Sequence, residues 1–70
     1  MPRSFSSRRV IQALTAAGWV FVRAVGDHHQ FKHPDRPGKV TVPHPVKDLP
    51  IGTLKSSERQ SGVPLRSLDP

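Results

Sequence analysis

The sequence predicts an α+β fold: a three-stranded antiparallel sheet with two helices on one face, in the order helix, three strands, helix. Three observations predict it. Apolar residues recur at helical spacing near Ser7–Ala17 and again after Asp48. Between these segments lie β-branched and aromatic runs, interrupted by Gly26-Asp27 and by a Pro- and Gly-rich stretch from Pro34 to Gly38. Such short breaks make sequential hairpins, and sequential hairpins make an antiparallel sheet.

The first helix is expected over Ser7–Ala17. Val10, Ile11, Leu14 and Ala17 share one face, Ser7 is a suitable N-cap, and Gly18 fits the left-handed position that closes a helix. Trp19 to Val25 reads as the first strand. Gly26-Asp27, with glycine first, suits a type II′ hairpin turn. The second strand runs from His28 to about His33. A turn follows over Pro34–Gly38, then a short third strand from Lys39 to Val42, closed by Pro43 and Pro45. Asp48 reads as the cap of the second helix, with Pro50 in its first turn, and Gly62 ends that helix after Ser61. Its apolar face is thin: Ile51 and Leu54 are followed by Ser57, where a large apolar residue is expected. One domain is expected over residues 1–70, with an ordered core of about 6–63 and a frayed tail from Pro64 to Pro70.

Seventy residues leave no room for a deep cofactor cavity, so a site must lie on an open face and no cofactor is expected. The absence of cysteine removes disulfides and thiolate metal sites and favours a reducing, cytoplasmic setting. No apolar run approaches the ~20 residues of a membrane span, and Met1 to Arg9 is polar and basic, unlike a signal peptide. Eleven Lys and Arg against five Asp and Glu give a formal net charge of +6. The charge is spread along the chain and favours a polyanionic partner, without choosing between nucleic acid, anionic membrane and acidic protein.

A two-residue hairpin loop sets the register. Val25 then faces His28, and Arg23 faces Gln30. Alternation collects Arg23, His28, Gln30 and Lys32 on the open face, with Lys39 and Thr41 from the third strand. Val20, Val22, Ala24, His29, Phe31, Val40 and Val42 fall on the other. Trp19 and Phe21 share the parity of Arg23. Two readings fit them: a stacking platform for bases, or a bulge or edge-wrap that returns them to the core. His28 and His29 point to opposite faces, so one metal ion is not readily shared between them, and no metal site is expected. His33 reads as a solvated turn residue.

The run Gly26-Asp27-His28-His29-Gln30-Phe31-Lys32-His33-Pro34 resembles the HicA family of messenger-RNA interferases, the toxins of HicAB toxin–antitoxin pairs. That family starts a strand with Gly-Ser-His; here Asp27 replaces the serine. The resemblance extends backward through Ser7-Arg8-Arg9-Val10-Ile11-Gln12-Ala13-Leu14 and Ala17-Gly18-Trp19. Forward it takes in Val40-Thr41-Val42-Pro43-His44-Pro45 and Lys47-Asp48-Leu49-Pro50-Ile51-Gly52-Thr53-Leu54-Lys55. It covers roughly residues 7–63 and implies the fold of a double-stranded-RNA-binding domain. Arg23 stands where an arginine is common in the family, and Ser57 where similar sequences carry an aliphatic residue, which implies weaker packing of the second helix.

Alone, a histidine on a polar strand face is most often simply solvated. The resemblance makes His28 the catalytic residue of an endoribonuclease acting on single-stranded RNA. Such chemistry suits histidine, because RNA carries its own nucleophile in the 2′-hydroxyl and a base of unperturbed pKa ~6.5 can take its proton without a metal. Arg23, Lys32, Lys39, His44 and Lys47 are the candidate RNA contacts. For His44 the alternative is a loop residue that orders its turn. The resemblance also implies a HicB-type antitoxin and a toxin–antitoxin hetero-oligomer, with messenger RNA as substrate and no membrane. Two rival readings are a non-catalytic RNA-binding module of the same fold and a protein-interaction domain with an acidic partner.

Overall fold

The structure, a computed structural model, describes residues 5–65. Its elements run α1 (Ser7–Ala16), β1 (Val20–Val25), β2 (His28–His33), β3 (Arg36–Pro43) and α2 (Ile51–Ser61). The strands pair antiparallel in the order β1-β2-β3, as the hairpin reading predicts. The core joins Val10 and Leu14 of α1, Leu54 of α2, and Phe31, Val40 and Val42 of the sheet, so both helices cover one face.

The first helix begins one residue earlier in its capping than expected. Ser6, not Ser7, is the N-cap, its Oγ accepting the Arg9 N–H at 3.2 Å. Both serines qualify by chemistry. Ser7 is instead drawn inside, 1% exposed, by bonds to the loop after β3. At the other end Gly18 has φ +97, and a Cβ there would stand 2.7 Å from His33 Nε2. Glycine is therefore required twice over, by its backbone and by its neighbour.

His33 is not a solvated turn residue. Its Nδ1 accepts the Asp35 N–H at 2.9 Å, which leaves the proton on Nε2, and Nε2 donates to the Ala17 carbonyl at 3.1 Å. The ring also meets Trp19 edge-on at 5.3 Å. One imidazole thus ties the β2–β3 hairpin to the end of α1.

The loop Gly26-Asp27 has φ +59 at its glycine and no positive φ at Asp27, as a type II′ turn requires. Val25 faces His28 and Arg23 faces Gln30. Between Phe21 and Arg23 a bulge inserts Val22, and the parity changes. Phe21 therefore faces Phe31 on the helix side, and Val20 faces Lys32 on the open side. This corrects the expected placement of Val20 and Val22 in the core; they are 60% and 49% exposed. Of the two readings for Trp19 and Phe21, the bulge prevails, and Trp19 is buried in the core.

The third strand is longer than expected because the turn is Pro34-Asp35 alone. A second irregularity lies between the pairs Phe31–Val40 and His33–Arg36 and absorbs Pro37 and Gly38. An edge strand tolerates a proline, which has no N–H to donate to a ladder, and Gly38 takes φ +81.

The second helix starts later than expected. Asp48 does not cap it; the N-cap is Pro50, without a side-chain cap bond. The N–H of the buried Leu49 donates to the Phe5 carbonyl at 2.8 Å, which holds the preceding loop extended. Ser57 does face the interior, 2% exposed, and its carbonyl accepts the Ser61 hydroxyl at 2.6 Å. Leu65 is fully buried, so the described chain stays packed beyond Val63. The remainder of the expected tail, residues 66–70, lies outside the described residues. Among the described residues no helix is long and apolar enough to cross a membrane.

Candidate functional site

The face of the sheet away from the helices carries polar side chains from all three strands. Successive residues of β2 alternate between faces, so His28, Gln30 and Lys32 point outward while His29 and Phe31 point to the helix side. From β1, Arg23 joins them opposite Gln30, and its Nε donates to Gln30 Oε1 at 3.4 Å, a weak bond that aligns the guanidinium along the sheet. On β3, Thr41 faces Gln30, and alternation sets Lys39 on the same side as Thr41. Along β2, His28, Gln30 and Lys32 follow one another at steps of about 7 Å. The face presents one imidazole at one end and three cations beside and beyond it.

The imidazole of His28 is 62% exposed. Its Nε2 lies 3.4 Å from Asp27 Oδ1, within ion-pairing distance. The carboxylate favours the neutral tautomer with its proton on Nε2, and that tautomer keeps a lone pair on Nδ1. Both groups are exposed, so the contact orients the ring more than it stabilises the fold.

His44 is not on this face. It follows β3, and its N–H donates to the Asp27 carbonyl at 2.7 Å, extending the ladder by one bond. Its ring packs edge-on against His29 at 4.9 Å, on the helix side, and its Nδ1 lies 2.5 Å from Ser7 Oγ. The Ser7 hydroxyl accepts the Val46 N–H at 2.9 Å and donates to the Val46 carbonyl at 3.2 Å. These bonds are all satisfied when His44 carries its proton on Nδ1. His44 therefore joins α1 to the chain after β3, the turn-ordering alternative. Sequence reasoning missed Ser7 in this role, because a serine at a helix start reads as a cap. Lys47 is exposed in the loop before α2, outside the three strands that form the face. The structure therefore brings together His28, Arg23, Lys32 and Lys39, and leaves out His44 and Lys47.

Next to His44, the Nδ1 of His29 is buried without a hydrogen-bond partner among the described residues. The ring is flanked by Phe21 at 5.5 Å and by His44.

The network around Ser7 gives a direct stability test. Ser7→Ala strands the Val46 N–H and His44 Nδ1 in a half-buried site, and a lost partner of this kind costs about 1–3 kcal/mol. Chemical denaturation is expected to show that loss as a lower midpoint with an unchanged slope.

A sequence profile described as the HicA toxin of bacterial toxin–antitoxin systems matches residues 7–63. The chain belongs to the HicA toxin family. It is accordingly the toxin of a toxin–antitoxin pair, and an antitoxin partner follows from that membership. The match spans all five elements, from Ser7 at the start of α1 to Val63 just past Gly62. No curated protein sequence matches this HicA chain.

Proposed function

We propose that this HicA chain is an endoribonuclease that cleaves single-stranded messenger RNA in the cytoplasm, using His28 as a general base and no metal. The neutralising partner in this reading is a HicB-type antitoxin. The observation that supports it best is the exposed imidazole of His28 on a face that also carries Arg23, Lys32 and Lys39.

In the reaction, His28 Nδ1 takes the proton of a ribose 2′-hydroxyl. The oxygen attacks the adjacent phosphorus, and the bond from phosphorus to the 5′-oxygen of the next nucleotide breaks. That oxygen leaves with a proton from the histidinium or from water. The ends are a 2′,3′-cyclic phosphate and a 5′-hydroxyl. Arg23, Lys32 and Lys39 hold the phosphate backbone and offset the charge that develops on its oxygens. The exposure of His28 and its neighbouring cations suits a sequence-tolerant nuclease. A single positioned base contributes about 10² to 10⁴ in rate, so turnover is expected to be slow.

The test is the chemistry of the cut ends. Incubation of the purified chain with a defined single-stranded RNA, followed by mass spectrometry of the fragments, is expected to give cyclic phosphate and 5′-hydroxyl ends. Fragments with 3′-hydroxyl and 5′-phosphate ends would point to an activated water and would overturn the assignment.

A further inference from the structure

Apolar exposure on this chain is not scattered. Four of the five large apolar side chains exposed among the described residues, Val20, Phe21, Val22 and Val25, lie on the single strand β1. All six residues of β1 are exposed. α2 packs on β3, and α1 reaches both β3 and β1, so β1 projects past most of the helix layer and is open on both faces. It is also an edge: among the described residues the sheet ends at β1. Natural edge strands are usually guarded by Lys, Pro or a covering element. β1 has neither Lys nor Pro; its guards are the bulge at Val22 and a single charge, Arg23.

Three occupants can cover such an edge, and charge distinguishes them. RNA needs cationic partners, and Arg23 is the only charged residue on β1. A second copy would set two chains of net charge +6 side by side, with their open cationic faces merged into one sheet. An acidic protein meets the apolar strand and the flanking cations together.

We infer that the antitoxin docks by adding a strand to the outer edge of β1, with apolar side chains against Val20 and Val25 and acidic ones toward Arg23 and Lys32. An added strand lies about 10 Å from β2, two strand spacings. Acidic side chains from it reach across Arg23 toward the open face, so docking and blockade of His28 are one event. The blockade rests on the open face being the active one; the docking rests only on the chain having an antitoxin.

Amide hydrogen exchange tests this on the chain alone and in complex with its HicB-type antitoxin. Strong protection of the β1 amides in the complex is expected. The double variant Val20→Lys/Val22→Lys is expected to bind antitoxin at least 10-fold more weakly. Both residues are exposed, and circular dichroism checks that the variant is folded. An interface driven by charge alone would bind this more cationic variant as tightly or more tightly, and that result overturns the proposal. So does a complex whose β1 amides exchange as in the free chain, or the absence of any complex. If β1 is protected but the free chain fails to cleave RNA, the docking inference stands and the nuclease reading falls.

Discussion

His28→Ala is expected to lower RNA cleavage by about 10²- to 10⁴-fold, the contribution of one positioned acid or base. The fold should not suffer, because a side chain that is 62% exposed, beside an exposed carboxylate, contributes little packing. RNA binding should survive as well. In the proposed reading it depends on Arg23, Lys32 and Lys39, and salt-dependent phosphate contacts do not need an imidazole. Cleavage rates and binding isotherms measured on the same preparation separate the two. Loss of both would mean that His28 holds RNA and does no chemistry. Loss of neither would leave an RNA-binding or protein-binding domain.

Trp19→Ala is the largest expected effect on stability, about 3–5 kcal/mol. A domain of this length has about 4–10 kcal/mol in all, so the variant is expected to unfold at or near working temperature. Trp19 is 2% exposed, lies in the core cluster and meets His33 edge-on at 5.3 Å. Phe21→Ala, two residues on, should cost only about 1 kcal/mol, because half of that ring is in water. Thermal melts of the two variants check the contrast. Similar losses would mean that the strand sits in a different register.

The contrast marks where the sequence stops being legible. Hydrophobic periodicity and Gly26-Asp27 suffice to predict the element order and the pairing of Val25 with His28, because a two-residue loop leaves no other register. The bulge at Val22 is invisible in the alternation, since Val20, Val22 and Ala24 suit a buried face equally well. It shows only indirectly, in the awkward parity of Trp19 and Phe21. The candidate site was legible where it depends on strand alternation, as for Arg23, His28, Lys32 and Lys39. It was not legible for His44, whose direction is set by the contact of its ring with Ser7, 37 positions away. Nor was it legible for His33, which resembles any polar residue before a proline until Gly18 is seen against its ring. The late start of α2 has the same cause, a backbone bond from Leu49 to Phe5 that no local signal announces.

The measurement that bears most directly on the account is restoration of cleavage to His28→Ala by added imidazole. A small free base can enter the vacant place on an open face, so cleavage is expected to return in proportion to imidazole concentration and to yield the wild-type ends. A variant that cleaves as fast as wild type without imidazole would contradict the claim that this one exposed ring removes the ribose proton.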